Sequence, residues 1–184
     1  MEHPAEVLVY DRVELRRKRL VDVDAQHRVV LESLEHLTPW MPWASGYSRD
    51  SLQEHLTETQ AAWESGQAYD YMIVSEGEIV GSCSLMRRIG PGGLEIGYWI
   101  HPDRTGRGLV TMATAALVEA AFALPGTTHV EIHHDEANTA SGAVPRRLGF
   151  TVVSREKDPT RGGAPAESGI TVIHRLDRLD RMAR

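Results

Sequence analysis

The chain has 184 residues, a length that suits one domain with a sizeable core. Its formal net charge of −6 argues against a nucleic-acid surface, which is normally basic, and its single cysteine excludes an internal disulfide or a thiolate-rich metal site. No apolar run reaches the roughly 20 residues of a transmembrane helix, and the N-terminus lacks the basic and apolar segments of a signal peptide. We therefore expect one cytoplasmic domain over residues 1–184, with neither membrane nor nucleic acid as a partner.

The first elements predicted along the chain are a strand and a helix. Val7–Tyr10 and Val13–Leu15 have the apolar character of a first strand, which a basic turn follows. Either Asp22 or Asp24 can cap a helix that runs to about His36, because apolar residues recur there at helical spacing.

A second helix follows a break in the pattern. The segment Thr38–Trp43 contains two prolines and ends the first helix. Ser48 can cap a helix over about Ser51–Ser65, and Gly66 stops it.

Three strands come next. Tyr71–Val74 and Ile79–Leu85 flank Glu76–Glu78, which is a hairpin signal. Leu94–Ile100 is the third strand of this meander and is reached across the loop Gly90–Gly93.

The last third of the chain alternates between helices and strands, which completes an α+β domain with a single mixed, mostly antiparallel sheet flanked by helices. Val110–Ala123 reads as a helix and Thr128–His133 as a strand. A short helix is predicted over Ser141–Leu148, with Gly149 as its C-cap. The remaining strands are predicted at Phe150–Val153 and Ile170–His174, on either side of a polar loop over Asp158–Gly169.

The most informative motif is the segment 104–109, Arg-Thr-Gly-Arg-Gly-Leu, which lies between a predicted strand and a predicted helix. Backbone N–H groups at a helix N-terminus attract anions, and Gly106 and Gly108 let a phosphate approach the main chain closely. Arg104 and Arg107 add positive charge. The spacing is neither that of a Walker loop nor that of a dinucleotide-binding turn, so a different phosphorylated ligand is expected. A plain strand-to-helix turn with solvated arginines is the alternative.

Two separated motifs together resemble a known family. Residues 100–108, Ile-His-Pro-Asp-Arg-Thr-Gly-Arg-Gly, and the stretch from Asn138 to Phe150 are similar to the GNAT superfamily of acyl-CoA-dependent N-acyltransferases. The segments Pro39–Trp43 and Glu95–Trp99 are similar to its RimJ/RimL branch, which includes ribosomal-protein-serine acetyltransferases. The resemblance covers roughly residues 7–177.

The resemblance implies a sheet that splays open between the strand ending at Ile100 and the strand over Thr128–His133, with acetyl-CoA in the cleft. The diphosphate would rest on backbone amides of residues 105–110, the strand ending at Ile100 would pair with the pantetheine and polarise the thioester, and Asn138 would bond the pantetheine arm. No metal is needed, because a thioester is already activated. The cofactor-binding candidates are Ile100, Arg104, Thr105, Gly106, Arg107, Gly108, Leu109, Val110 and Asn138.

Three residues are candidates for the chemistry. Many members of the family carry a tyrosine where this chain has Pro145, and the RimJ/RimL resemblance suggests that Ser141 supports the leaving thiolate instead. The alternative is that Ser141 caps the short helix. Glu95 is one candidate base, or a carboxylate on the sheet surface, and His133 is the other, with an ordinary pKa of about 6.5.

The ordinary pKa values of amines favour one class of acceptor. An α-amino group with a pKa of about 7.8 is roughly a tenth neutral at pH 7, whereas a lysine at about 10.4 is less than a thousandth neutral. A chain without an obvious strong base is therefore better matched to an N-terminal amine, although water relays can also move the proton.

Aromatic residues are predicted to line the acceptor pocket. Trp40 and Trp43 belong to an apolar loop where related enzymes build that pocket, and Tyr98 is a further substrate-binding candidate. Core packing or a homodimer contact is an alternative for the tryptophans. The adjacent His133 and His134 should point to opposite faces of a strand, which argues against a metal site, and Cys83 reads as a small core residue.

The sequence thus predicts an acetyl-CoA-dependent N-acetyltransferase in which a primary amine, of a protein N-terminus or a small molecule, attacks the thioester directly. Two alternatives stay open. One is a non-catalytic module that binds or senses acyl-CoA. The other is an N-acyltransferase with a bulkier donor such as succinyl-CoA.

Overall fold

The computed structural model describes residues 2–157 and 163–179, so part of the predicted loop over 158–169 lies outside the described residues. Within these ranges there are eight strands and four α-helices. The strands are β1 (Val7–Tyr10), β2 (Val13–Arg17), β3 (Ala68–Ser75), β4 (Glu78–Met86), β5 (Gly93–Ile100), β6 (His129–Asp135), β7 (Thr151–Lys157) and β8 (Ile170–Asp177), and the helices are α1 (Val23–Leu37), α2 (Arg49–Ser65), α3 (Leu109–Ala123) and α4 (Thr139–Arg147).

All eight strands form one mixed sheet, in the order β1-β2-β3-β4-β5-β6-β8-β7. Every neighbouring pair is antiparallel except β5 and β6, which are parallel. The predicted α+β class with a mostly antiparallel sheet is confirmed. The expectation of one first strand over residues 7–15 was wrong, because the chain reverses at Asp11 and forms the hairpin β1–β2. Asp11 adopts a φ of 50° there, a conformation that Asp tolerates better than most residues.

The two faces of the sheet have different partners. Leu94 and Ile96 of β5 belong to the main core together with Leu117 of α3. Because strand residues alternate between faces, Glu95 and Trp99 lie on the opposite face. We call these the α3 face and the opposite face.

The helix ends carry the expected signals in most places. Ser48 caps α2 through the backbone N–H of Ser51, and Gly66 ends that helix with a φ of 73°. The short helix α4 begins at Thr139 rather than at Ser141. Among the described residues, no helix is long and apolar enough to cross a membrane.

Candidate active site

A wedge-shaped cleft opens where β5 and β6 part. The two strands pair over only three residue pairs, from Gly93 opposite His129 to Glu95 opposite Glu131. Beyond them β5 stays hydrogen-bonded to β4 and β6 to β8, so the facing edges diverge. The cleft has a volume of about 750 Å³ and is lined by residues of β5, the N-terminus of α3, and α4. The predicted splay of the sheet is thereby confirmed.

The glycine turn lies at the mouth of this cleft. Gly106 and Gly108 have φ angles of 71° and 75°, in the left-handed region that residues with a Cβ avoid. Gly108 is the N-cap of α3, whose first turn contains no acidic residue. The first N–H groups of a helix have no partner within it, so this end of α3 offers donors and a positive dipole to an anion.

The structure brings most predicted cofactor-binding residues to the cleft. Arg107 is the one predicted residue that is not among the described residues lining the cleft. Its carbonyl accepts a hydrogen bond from the Arg12 side chain at 3.1 Å. The Arg104 guanidinium contacts Glu76 at 3.0 Å, so part of its charge is already balanced. Ile100, Arg104, Thr105, Gly106, Gly108, Leu109, Val110 and Asn138 line the cleft.

Asn138, not Ser141, caps the short helix α4. The Asn138 side-chain oxygen accepts a hydrogen bond from the backbone N–H of Ser141 at 3.0 Å. The alternative interpretation of Ser141 as the N-cap was therefore wrong. Asn138 holds the first turn of α4 in place, and this fixes the position of Ser141 on the cleft wall.

The hydroxyl of Ser141 lies beside that of Tyr98. The Tyr98 hydroxyl donates to the Ser141 carbonyl at 2.9 Å, and the Ser141 hydroxyl donates to the Tyr98 oxygen at 3.3 Å. Burial raises the pKa of Tyr98 to about 12, against a smaller lowering by the Ser141 hydrogen bond. The phenol therefore stays protonated at neutral pH, and two neutral hydroxyl groups face the cleft together. Tyr98 was predicted to bind substrate, and the structure places its phenol close to Ser141. The chain thus has a tyrosine hydroxyl beside Ser141, although Pro145 stands at the position where many members of the family carry a tyrosine.

The two candidate bases lie together on the opposite face. The Glu95 carboxylate is 2% exposed and accepts two hydrogen bonds from Arg88, at 2.6 and 2.8 Å. Nδ1 of His133 lies 3.8 Å from Oε2 of Glu95. Nε2 of His133 is 2.7 Å from Oε2 of Glu131. Neither candidate base belongs to the cleft lining. The role of Glu95 or His133 as the general base therefore stays a prediction.

These contacts form a row of alternating basic and acidic side chains, and the sequence analysis identified only two of its five members. Arg175 of β8 donates to Oε1 of Glu131 at 2.5 and 2.8 Å, which gives the order Arg88, Glu95, His133, Glu131, Arg175. A sequence signal existed for Glu131, because it stands two residues before His133 on a strand and so shares its face. The two arginines come from other segments, and no local pattern identifies them.

His134 points to the α3 face, away from His133. Its Nε2 lies 3.1 Å from Nε2 of His174, and the two rings stack with centroids 5.2 Å apart. The predicted divergence of the adjacent histidines is confirmed. Among the described residues, no group of three or more His, Cys, Asp or Glu side chains is placed to hold a metal ion.

The aromatic residues divide into two positions. Trp40 and Trp99 line the cleft. Trp43 is 45% exposed and packs on Trp99 and Tyr47, with ring centroids 6.4 and 6.1 Å apart. It therefore supports the cleft wall from behind.

A mixed sheet that parts between two parallel strands, with a glycine turn and a helix N-terminus at the mouth of the gap, is the architecture of the GNAT fold. The family model described as acetyltransferase (GNAT) domain matches residues 12–151. The chain belongs to this family, and it is an acetyltransferase.

Similar proteins support the expectation of the RimJ/RimL type. YdaF of Bacillus subtilis (strain 168), a candidate ribosomal N-acetyltransferase, is 24% identical over 82% of this chain and 84% of its own length. The ribosomal L7/L12 α-N-protein acetyltransferase RimL in complex with coenzyme A superposes with a TM-score of 0.86, at 23% identity over 94% of this chain and 98% of that one. Mycobacterium smegmatis RimJ in complex with a CoA disulfide gives 0.83, at 24% identity over 97% and 91%.

One neighbour was solved with acetyl-CoA itself. The microcin C7 self-immunity acetyltransferase MccE, in complex with acetyl-CoA and AMP, has a TM-score of 0.82 at 18% identity, over 91% of this chain and 93% of that one. At such identities the structural likeness establishes the fold.

Proposed function

We propose that this protein transfers an acetyl group from acetyl-CoA to a primary amine, by direct attack of the amine nitrogen on the thioester carbon. One observation carries the proposal. The cleft has a helix N-terminus suited to an anion at its mouth, and the two strands that part to form it carry a half-buried imidazole and a buried carboxylate, with Nδ1 of His133 3.8 Å from Oε2 of Glu95. The first suits the diphosphate of CoA, and the second suits an amine that must lose a proton.

The donor side follows from the glycine turn and the end of β5. The backbone N–H groups of residues 105–110 would hold the diphosphate. The unpaired edge of β5 near Ile100 would pair with the pantetheine and polarise the thioester carbonyl. An acetyl group needs no further activation once it is held there, because a thiol with a pKa of about 8.5 leaves readily.

Ser141 would serve the leaving group. When the amine nitrogen bonds to the carbonyl carbon, the carbon–sulfur bond breaks and negative charge develops on sulfur. The Ser141 hydroxyl can turn from the Tyr98 oxygen toward that sulfur and donate a hydrogen bond to it, while the Tyr98 phenol stays protonated and donates to the Ser141 carbonyl. Support for this role comes from the position of both hydroxyl groups on the cleft wall.

His133 is the better candidate base of the two. Arg88 binds both oxygens of Glu95, and this arrangement favours the ionised carboxylate and opposes proton uptake. Imidazole as a chemical group has a pKa of about 6.5, against about 7.8 for an α-amino group. It is therefore matched to an N-terminal amine, which agrees with the ribosomal-protein N-acetyltransferases among the similar proteins.

Calorimetric titration with acetyl-CoA and with succinyl-CoA tests the donor. We expect micromolar binding of acetyl-CoA and weaker binding of the bulkier donor. Tighter binding of succinyl-CoA would replace acetyl by succinyl in the proposal.

The acceptor is tested with two peptides of the same sequence, each containing one lysine. One has a free N-terminal serine and the other a blocked N-terminus. We expect mass spectrometry to find acetylation of the first peptide only. Acetylation of the lysine in both would refute the preference for an α-amine, and an acetylated enzyme after incubation without acceptor would refute direct attack.

A further inference from the structure

The strand β6 places a buried carboxylate against the imidazole of the candidate base. Glu131 is 5% exposed, and its Oε2 lies 2.7 Å from Nε2 of His133. We propose that Glu131 is a positioning residue that fixes the tautomer of His133, so that Nε2 carries the proton and Nδ1 carries the basic lone pair. The catalytic meaning of this inference rests on the proposed function.

The charge state of Glu131 determines which imidazole nitrogen is protonated. Burial by itself raises the pKa of Glu131, but hydrogen bonds from His133 and Arg175 outweigh it and hold that pKa below its ordinary value. An ionised carboxylate can only accept hydrogen bonds. The 2.7 Å contact therefore requires a proton on Nε2, and in the neutral imidazole the lone pair is then on Nδ1.

Two arginines keep both carboxylates of the row in place. Arg175 donates twice to Oε1 of Glu131 and leaves Oε2 for the imidazole. Arg88 instead donates once to each oxygen of Glu95, at 2.8 Å to Oε2 and at 2.6 Å to Oε1. His129 is a further neighbour, with its Nε2 3.9 Å from Oε1 of Glu131. His133 thus lies between two fixed negative charges, each of which has its own arginine.

On the other side of the imidazole, Nδ1 and the nearest carboxylate oxygen are spaced so that one donor could bind both. Nδ1 of His133 and Oε2 of Glu95 are 3.8 Å apart, too far for a direct hydrogen bond. Both atoms accept, so a group with two N–H or O–H bonds can lie between them and donate to each at about 2.9 Å. The amine of the acceptor, or a water that relays its proton, fits this description. When the acceptor arrives as a protonated amine, transfer of one of its protons to Nδ1 leaves the neutral amine, whose lone pair is then free for attack.

The tautomer can be measured without any substrate. In a histidine-labelled sample at pH 8, long-range ¹H–¹⁵N correlation spectra distinguish the protonated from the unprotonated ring nitrogen. We expect His133, assigned by its loss in His133→Ala, to carry the proton on Nε2. In Glu131→Gln the amide can donate to Nε2, so the proton should shift to Nδ1. The inference is overturned if His133 of the unmodified protein carries its proton on Nδ1. It is also overturned if the His133 proton stays on Nε2 in Glu131→Gln.

Kinetics then separates positioning from simple structural support. Glu131→Gln should lower kcat about a hundredfold, the lower end of the range for general-base catalysis, and leave the KM for acetyl-CoA unchanged. The double variant Glu131→Gln/His133→Ala should be no slower than His133→Ala alone, because Glu131 acts only through the imidazole. If the double variant instead loses kcat by the product of the two single-variant losses, the inference is overturned.

A matched control is Glu78→Gln, which removes a carboxylate that is 63% exposed on β4 and should leave kcat unchanged. The two proposals fail in different ways. An Nε2-protonated His133 in a protein that acetylates no amine would refute the proposed function alone. Amine acetylation by a protein whose His133 is protonated on Nδ1 would refute the positioning role alone.

Discussion

The stacked histidines under α4 should make the stability of this protein depend on pH. His174 is 1% exposed, and its Nδ1 has no hydrogen-bond partner among the described residues. Burial lowers the pKa of His174 to about 4, with further lowering by the charges of His134 and Arg146. The folded protein therefore keeps this imidazole neutral at pH values where the unfolded chain, with a pKa near 6.5, binds a proton.

The sign and size of the effect follow from proton linkage. Below about pH 6.5 the unfolded state binds more protons than the folded state, so the free energy of unfolding falls as pH falls and stops falling near pH 4. At pH 5 the difference between the two pKa values corresponds to a loss of about 2 kcal/mol relative to neutral pH. For a chain of this length, such a loss lowers the melting temperature by roughly 4–8 °C.

Urea denaturation between pH 7.5 and pH 5 measures this loss. His174→Gln keeps polar atoms at the position but removes the titration, so its free energy of unfolding should fall by about 2 kcal/mol less than that of the parent over this range. His36→Gln, which removes an exposed imidazole at the end of α1, should follow the parent. Parallel curves for the parent and His174→Gln would refute the reasoning, because the loss would then come from other groups.

Three further predictions concern the cleft and the core. Ser141→Ala should lower kcat about a hundredfold and leave acetyl-CoA affinity in calorimetry nearly unchanged; an unaltered kcat would remove the serine from the mechanism. Gly106→Ala and Gly77→Ala each add a Cβ at a φ above 70° in open space, so both should lose about 1 kcal/mol of stability. Only Gly106→Ala should also weaken acetyl-CoA binding, about tenfold, and equal affinities in the two variants would contradict a phosphate site at this turn. Cys83 is buried, and burial raises the pKa of its thiol, so a thiol reagent should label it only after denaturation; rapid labelling of the native protein would show that the residue is accessible.

The glycine turn and the strand meander could be predicted because their signals are local. A turn that needs two positive φ angles selects Gly106 and Gly108, and the apolar run of β5 before it identifies the strand. The boundary of α4 was placed two residues late, because Asn138 and Ser141 both suit a cap. The structure selects Asn138, whose side-chain oxygen reaches the Ser141 N–H.

The charged row could not be predicted for the opposite reason. Glu131 and Arg175 are far apart in sequence and meet only because β6 and β8 pair in a register that puts them side by side. Arg88 reaches Glu95 from beyond the end of the neighbouring strand β4. Which ion pairs form therefore depends on strand order and register, and a single sequence without a fold specifies neither.

The short paired segment of β5 and β6 has a consequence for the width of the cleft, because it is the part of the sheet from which the two strands diverge. Gly93 lies at the closed end, where an added Cβ would come within 2.6 Å of Nε2 of His129 and 2.7 Å of Cγ1 of Ile89. Ile100 lies at the open end, about 23 Å further along the strand at 3.3 Å per residue. Because β5 and β6 pair only over this short segment, a side chain added at Gly93 that shifts one strand against the other should change the width of the cleft at its mouth.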